Sequence, residues 1–236
     1  MPLKRTRLDR LLSGFAGINR RDVKLMLAHQ RVEVDGRVAT DACQQVDGFS
    51  RVMLDGQVLQ DNTPHYLMLN KPVGVVSATK DELHKTVIDL LDRDYFPSLH
   101  IAGRLDLNSS GLLLLTNDGR WSRRLSSPEM AVTKLYRVTL EKPLTEAYIS
   151  AFAEGMYFAY EGITTRPAKL KIVSKYVAEV SLVEGRYHQI KRMFGRFRNP
   201  VLALHRIAIG RLELDSVLAA GCSRELTKWE VQSFWV

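Results

Sequence analysis

Apolar residues near the start of the chain recur at helical spacing. A first helix is predicted over the apolar positions Leu8, Leu11, Leu12 and Phe15. It should end at residues 17–19, where glycine and asparagine interrupt the pattern. A second helix is expected to begin after Asn19, a typical N-cap residue with Asp22 three positions on. Its apolar stripe consists of Val23, Met26 and Leu27.

After the second helix, apolar and polar residues alternate one by one and no longer recur at helical spacing. Val32 and Val34 alternate with polar residues up to the pair at 35–36, an Asp-Gly step that is a strong signal for a tight hairpin turn. A second Asp-Gly step follows at 55–56. These patterns predict a small unit made of two helices and short β-hairpins, closing near residue 60.

Turn-forming residues at 61–64 separate this unit from the rest of the chain and predict a linker. We therefore expect one domain at residues 1–60 and a second at 61–236. In the second domain, strands are predicted at HYLMLN, GVVSAT, LLLLT, YRVTL, LKIV and VAEVSLV, and helices at TVIDLLDR, EAYISAFAEG and HQIKRMFGRF. This mixture predicts an α+β protein whose larger domain has a mixed, mainly antiparallel sheet with flanking helices.

Composition and charge narrow the range of functions. The 236 residues carry a formal net charge of +8 with a pI of about 9.6, which makes a polyanion such as nucleic acid a natural partner, although basic proteins of other classes share this balance. The pattern shows neither an apolar run long enough to span a membrane nor a signal peptide, so we expect a cytoplasmic protein. Cys43 and Cys222 are expected to be reduced thiols. Neither metal-ligand spacing nor a glycine-rich phosphate loop is present, so no metal or cofactor is expected.

The most informative segment is HIAGRLDLNSSGLLLLTNDG, residues 100–119. Asp106 lies there in a polar turn between two apolar stretches, where packed neighbours can hold its carboxylate beside a cleft. Aspartate, asparagine and serine in such a turn also commonly cap the local backbone. Local chemistry alone leaves both interpretations open.

The same segment resembles the signature of the RsuA-type pseudouridine synthases, a ribosomal branch of a larger family with one catalytic aspartate. The matching pattern is G-R-L-D followed by x-x-S-x-G-L-L-L-L-T-N-D-G; family members often carry Thr where this chain has Ser109 or Ser110. Three further segments resemble family motifs in the same order: YLMLNKPVGVVSA, KLYRV and EGRYHQIKRMF. With the RIAIGRLEL tail, the resemblance covers nearly the whole chain and favours an enzyme.

The resemblance implies roles for individual residues. Asp106 matches the essential carboxylate, which either attacks the ribose C1′ or removes a ribose proton to give a glycal. Lys191 matches the basic residue beside it, and Tyr136 matches the tyrosine that stacks on the target base. Ile190 matches an apolar residue of the uracil pocket, and Arg104 fills the space of a flipped base or pairs with phosphate. Taken singly, each residue also has a structural interpretation. Lys191 is compatible with a surface lysine on a basic helix, Tyr136 with a core or edge tyrosine, Ile190 with a core residue and Arg104 with a structural salt bridge.

Residues 7–40 resemble the S4 RNA-binding domain: a helix, a short turn, a basic second helix and a V-x-V-D-G hairpin. The resemblance implies that Arg20, Arg21 and Lys24 contact RNA phosphates. Arg186 and Arg192 belong to a second basic segment that fits an RNA-facing wall. A solvated helix face is the alternative for both sets.

Three functions fit these motifs: a small-subunit (16S) rRNA enzyme, a large-subunit (23S) rRNA enzyme of the same family, and a non-catalytic S4-type ribosome-assembly factor. The compact chain and its N-terminal module most resemble the bacterial small-subunit enzymes. The resemblance therefore implies that a specific uridine of 16S rRNA, within an assembling small-subunit particle, is converted to pseudouridine during ribosome biogenesis. A monomer without metal or cofactor is expected.

Overall fold

A computed structural model describes residues 5–15, 17–91 and 98–235 of the chain. The chain divides into two compact units, one comprising Met1–Pro64 with Asp118–Arg120, the other His65–Asn117 with Trp121–Val236. The first unit therefore ends four residues beyond the boundary expected at residue 60. That each unit folds as an independent domain stays a prediction.

The first unit combines short helices with small antiparallel sheets. Its elements are β1 (Thr6–Arg7), α1 (Leu8–Leu12), α2 (Arg20–Ala28), β2 (Val32–Val34), β3 (Arg37–Val38), β4 (Gln45–Val46), β5 (Val52–Leu54) and β6 (Gln57–Gln60). Strands pair in the order β3-β2-β5-β6, with β1 on β4. The apolar positions that predicted the two helices pack with the strand valines into one core.

Two details of this unit differ from expectation. Helix α1 ends at Leu12, earlier than the predicted end at residue 17, because the backbone turns tightly from Ser13 onward. Asn19 does occupy the N-cap position of α2 with an extended backbone. Among the described residues, however, no α2 backbone N–H is bonded to the Asn19 side chain, so the expected capping bond is absent there.

The second unit holds the remaining elements. Its strands are β7 (Tyr66–Lys71), β8 (His100–Ala102), β9 (Ser110–Thr116), β10 (Lys134–Leu140), β11 (Tyr157–Phe158), β12 (Ile163–Thr164), β13 (Lys169–Ser174), β14 (Val177–Leu182), β15 (Val201–Ile209), β16 (Leu212–Glu213) and β17 (Ser223–Glu225). Its helices are α3 (Gly119–Ser126), which belongs to this unit from Trp121 onward, α4 (Ala147–Glu154), α5 (Gln189–Gly195) and α6 (Lys228–Gln232). Where described, none of these helices has the length and apolar character needed to cross a membrane.

One large sheet organises this unit, with the strand order β13-β14-β10-β15-β9-β7-β17 and with β16 on β15 and β8 on β9. Every pair is antiparallel except β9 with β15, which run parallel. The predicted mixed, mainly antiparallel sheet is confirmed. The run of four leucines in β9 is continuous because both faces of the sheet are covered. Leu113 and Leu115 enter one core, and Leu112 and Leu114 enter the other.

The predicted strand GVVSAT is wrong: the structure has only an isolated bridge there, between Val76 and Thr86. Gly74, with φ of +83°, turns the chain away from β7. Beyond it, the Ser77 hydroxyl donates to the Leu105 carbonyl at 2.7 Å and accepts from the Leu105 N–H at 3.0 Å. Side-chain bonds thus replace a strand ladder and fix this segment beside the loop that follows β8.

The predicted helix TVIDLLDR is also largely wrong. The structure has a single 3₁₀ turn at Ile88–Leu90, and the last two residues of the prediction, 92–93, lie outside the described part of the chain. The Asp89 carboxylate accepts from both the backbone N–H (2.7 Å) and the hydroxyl (2.9 Å) of Thr86, a local arrangement that competes with helix formation. The other predicted strands and helices of this unit are confirmed, with ends shifted by one or two residues.

Candidate active site

A cleft of about 450 Å³ opens in the second unit, beside the loop between β8 and β9. The other walls come from β10, β14, β15 and the segment that leads into α5. The lining residues are Val76, Ser77, Arg104, Leu105, Asp106, Leu107, Ser109, Tyr136, Leu182, Gly185, Arg186, Tyr187, His188, Gln189, Ile190, Lys191 and Leu204. Segments far apart in sequence therefore meet here, and all four sequence motifs contribute residues.

Asp106 faces two basic side chains in this cleft. Its Oδ2 atom lies 3.4 Å from His188 Nε2 and 3.7 Å from Lys191 Nζ, and 36% of its side chain is exposed. The turn itself is closed through the backbone, where the Ser109 N–H donates to the Asp106 carbonyl at 3.0 Å. The carboxylate is thus turned toward the cleft, with two basic side chains beside it.

A network of hydrogen bonds shapes the segment that leads into α5. The buried carboxylate of Glu184 accepts from Gln189 Nε2 at 2.7 Å and from Arg186 Nε at 3.1 Å. The Arg186 backbone N–H in turn donates to Gln189 Oε1 at 3.1 Å. His188 has a left-handed backbone with φ of +49°, a conformation that costs a non-glycine residue about 1 kcal/mol or more. The fixed turn directs His188 and Lys191 toward Asp106.

Tyr136, on the inner strand β10, is 8% exposed and lies against the cleft. Behind it lies Arg206 of β15, which is 1% exposed and donates from Nη1 to the Tyr136 hydroxyl oxygen at 3.4 Å. The same guanidinium donates from Nε to the Leu112 carbonyl at 2.7 Å and from Nη2 to the Gly103 carbonyl at 2.9 Å. Arg206 therefore joins the tyrosine to the strand and loop that flank Asp106.

Lys71, at the end of β7, is completely buried beneath the same loop. Its Nζ donates to the Ser109 carbonyl at 2.7 Å and to the Pro72 carbonyl at 2.9 Å. Burial lowers the pKa of Lys71 to about 8; the negative charge of Asp106 opposes that shift and the positive charge of Arg206 adds to it. A buried ammonium bonded to backbone carbonyls holds the loop between β8 and β9 in one conformation.

Gly111, at the start of β9, permits the close approach of β15. Its φ is +102°, and a Cβ atom built there would lie 2.3 Å from the Arg206 carbonyl oxygen. Any side chain would therefore push β15 and its arginine away from the loop.

Sequence reasoning gave neither Arg206 nor Lys71 a role in the site. Both residues lie in segments that were quoted as motifs. Each is a charged residue inside an otherwise apolar strand, and this pattern could have indicated their role. Since such a charge is buried only when it is paired or well bonded, its position in an apolar strand indicates a specific partner.

The structure brings six of the predicted residues to this cleft: Arg104, Asp106, Tyr136, Arg186, Ile190 and Lys191. Ile190 is 4% exposed and also belongs to the hydrophobic core, so both roles considered from the sequence apply to it. Arg104 is exposed at the cleft, while Arg186 is held by Glu184.

Arg192 is not among the residues that line the cleft. Both of its terminal nitrogens bond to Glu161 at 2.5 Å, and its guanidinium lies 3.7 Å from the centroid of the Phe158 ring. These contacts give Arg192 a structural role on the other side of α5. Successive residues of a helix point in different directions, so Arg192 lies on a different side of α5 from its neighbour Lys191, which faces the Asp106 carboxylate.

In the first unit, the three basic residues of α2 differ in their surroundings. Arg20 pairs at 3.0 Å with Asp9, a carboxylate that Arg7 also contacts at 2.7 Å. Hydrogen bonds from Arg7 lower the pKa of Asp9 most, and those from Arg20 add to the effect. Arg21 and Lys24 are exposed on the helix surface. Arg20 therefore contributes to the unit's own structure, and because 56% of its side chain is exposed it is accessible to a partner like the other two.

The cleft is suited to chemistry on a flat polar ring attached to a sugar. A carboxylate between an ammonium and an imidazole can act as a nucleophile or as a base. The aromatic ring of Tyr136, with the apolar side chains of Ile190 and Leu182, can enclose a planar base. Within residues 5–15, 17–91 and 98–235, no three His, Cys, Asp or Glu side chains are grouped as a metal site requires.

Known proteins share both the sequence and the fold. Residues 65–195, more than half of the chain, match the model of the RNA pseudouridylate synthase family. The chain is 47% identical over 228 residues to the ribosomal small subunit pseudouridine synthase A of Pseudomonas aeruginosa, covering 96% of this chain and 99% of that protein. It is 40% identical to the protein of the same name from Escherichia coli strain K12, covering 96% of this chain and 99% of the relative.

A solved structure agrees with these relatives. The crystal structure of a pseudouridylate synthase superposes with a TM-score of 0.71 at 37% identity, covering 97% of this chain and 99% of the other. The likeness thus extends over both units and includes every segment that lines the cleft. On this sequence and structural agreement, the chain belongs to the RNA pseudouridylate synthase family.

Proposed function

We propose that this protein converts a uridine of small-subunit (16S) rRNA into pseudouridine, with Asp106 as the catalytic carboxylate. The observation that carries the proposal is the position of Asp106 Oδ2, 3.7 Å from Lys191 Nζ in a cleft that also contains Tyr136. Relatives at 40–47% identity over nearly the whole chain are named as small-subunit pseudouridine synthases, which supports this choice of RNA.

The reaction is an isomerisation and needs no external reagent. The bond from C1′ to N1 of uracil breaks, the base turns, C5 bonds to C1′, and the proton on C5 leaves to solvent while N1 gains one. Asp106 starts the reaction in one of two ways. It attacks C1′ to form an ester bond that breaks when C5 bonds to C1′, or it removes a ribose proton that returns to the ribose when that bond forms. Both routes use the carboxylate in its ionised form, and the Lys191 ammonium lies 3.7 Å from it.

The other residues of the cleft bind and orient the nucleotide. Tyr136 stacks on the uracil, held from behind by Arg206, and Ile190 supplies an apolar wall. Arg104 and Arg186 are placed at the cleft to meet phosphates or to fill the space that the extruded base leaves.

RNA binding extends to the first unit in this proposal. Residues 1–60 act as an S4-like RNA-binding domain, and residues 61–236 carry the catalytic fold. Arg20, Arg21 and Lys24 are exposed on α2 and contact phosphates. The enzyme acts in the bacterial cytoplasm as a monomer, on RNA within an assembling small-subunit particle.

The test measures tritium release from RNA labelled at C5 of uridine, because formation of the C–C bond expels that hydrogen. Three substrates are compared: 16S rRNA assembled with ribosomal proteins, free 16S rRNA, and 23S rRNA. Release of one equivalent from the assembled 16S substrate alone supports the proposal. Release from 23S rRNA alone would mean that the protein modifies large-subunit RNA. Release from none of the three substrates would favour a non-catalytic assembly factor.

A further inference from the structure

Tyr187 is an exposed aromatic residue at the edge of the cleft. Its side chain is 75% exposed, although it lines the same cleft as Asp106. One face of its ring stacks on the imidazole of His188, with centroids 3.9 Å apart and an angle of 17° between the planes. Because only one face is covered, the other face of the ring is open to solvent.

The position of this ring is fixed by its neighbours. The Tyr187 carbonyl accepts from Arg192 Nη1 at 3.4 Å, while Arg192 is itself bonded to Glu161 at 2.5 Å. On the other side along the chain, Arg186 is held by the buried Glu184. The segment is therefore ordered before any ligand binds, so little conformational entropy is lost when a flat group stacks on the ring.

The chemistry around the ring fits a nucleic-acid strand. Arg104 and Arg186 line the same cleft and supply positive charge for phosphates. The imidazole beneath the ring contacts Asp106 through Nε2 at 3.4 Å, so the tyrosine is separated from the carboxylate by one stacked ring. A strand that places one nucleotide at Asp106 brings an adjacent nucleotide into this region.

We propose that the open face of Tyr187 is a stacking site for a second nucleobase, a neighbour of the uridine that enters the cleft. The inference rests on the proposed function, since it requires RNA as the ligand. Aromatic side chains stack on unpaired bases of RNA in a way that tolerates different base identities. Tyr187 accordingly contributes to RNA affinity and to the alignment of the strand, while Tyr136 holds the target base.

A purely structural role for Tyr187 makes a different prediction. If the ring served only to hold His188 beside Asp106, its removal would lower the rate at saturating RNA and leave the half-saturating concentration unchanged. A stacking site has the opposite signature, because the lost contact is made with the RNA outside the reacting nucleotide.

The experiment compares Tyr187→Ala and Tyr187→Phe with the intact full chain, using single-turnover pseudouridine formation over a range of 16S rRNA concentrations. Tyr176→Ala is the matched control, since Tyr176 is 40% exposed and is not among the residues that line the cleft. The half-saturating concentration should rise roughly 5- to 150-fold in Tyr187→Ala and stay near the intact value in Tyr187→Phe and Tyr176→Ala. An unchanged value in Tyr187→Ala would overturn the inference.

A second experiment removes the neighbouring base from the RNA and leaves the Tyr187 ring in place. Once the assay has located the modified uridine, RNA with an abasic residue on either side of it is tested against both proteins. On one flank the abasic RNA should weaken binding to the intact enzyme and add little to the defect of Tyr187→Ala. Fully additive losses on both flanks would contradict the stacking site. If the intact enzyme modifies no RNA at all, the proposed function fails together with this inference.

Discussion

Lys191 Nζ lies 3.7 Å from Asp106 Oδ2, although the two residues come from separate sequence motifs and from different elements of the fold. The loop after β8 supplies the carboxylate, and the first turn of α5 supplies the ammonium. The pairing places a positive charge beside the carboxylate that starts the proposed reaction.

Replacing Lys191 by glutamine should lower the single-turnover rate by roughly 100-fold, since the charge that supports Asp106 is lost while the side-chain length is nearly kept. The measurement is pseudouridine formation at saturating RNA. Lys171→Gln is the control, because it makes the same charge change at an exposed position of β13 that is not among the cleft-lining residues. Equal effects of the two substitutions would show that only the overall charge matters.

Arg206→Lys should destabilise the protein by about 3 kcal/mol and reduce activity, because one ammonium cannot replace bonds to Leu112, Gly103 and Tyr136 together. The free energy of unfolding in urea tests this expectation. Arg211→Lys, the same exchange at an exposed site, should change it by less than about 0.5 kcal/mol. An unchanged free energy of unfolding in Arg206→Lys would mean that the hydrogen bonds of the buried guanidinium are not needed for stability.

Gly111→Ala should destabilise far more than Gly162→Ala, although both glycines have positive φ. A Cβ atom at 111 would meet the Arg206 carbonyl oxygen at 2.3 Å, whereas no atom of the described residues lies within 4 Å of one at 162. Backbone strain alone costs about 1 kcal/mol at position 162, and the clash adds to it at 111. Thermal or urea unfolding of the two variants measures the difference, and equal losses would contradict the close approach of β9 and β15.

The lowered pKa of Lys71 predicts that the stability of the protein depends on pH. Its pKa is about 8 in the folded chain and near 10.5 when unfolded, so between these values the unfolded chain binds more protons. The contribution of Lys71 to the free energy of unfolding therefore rises as pH increases from about 8 to 10.5. Urea unfolding of the intact protein and of Lys71→Met measures this contribution as their difference. A difference that stays flat or falls over this range would contradict a depressed pKa.

The sequence predicted most of the fold because the relevant signals are local. The leucines of β9 and the alternation in β14 indicate strands on their own, and the motifs located Asp106, Tyr136 and Lys191. The 74–79 segment has the composition of a strand as well. Its conformation depends on the bonds that Ser77 makes to Leu105, which no local pattern reveals.

The supporting residues of the site escaped prediction for a related reason. Arg206 and Lys71 act through carbonyls that reach them only when β9 packs between β7 and β15. Lys191 and Arg192 look equivalent in sequence, yet they lie on different faces of α5, one beside Asp106 and one bonded to Glu161. Tertiary packing, which periodicity does not encode, decides both cases.

The most direct test of the central claim is tritium release from C5-labelled 16S rRNA by the intact protein and by Asp106→Asn, a change that keeps the size of the side chain and removes its charge. We expect release by the intact protein and a loss of roughly 1000-fold or more in the variant, with RNA binding retained. Release by Asp106→Asn at the intact rate would show that the carboxylate in this cleft is not catalytic.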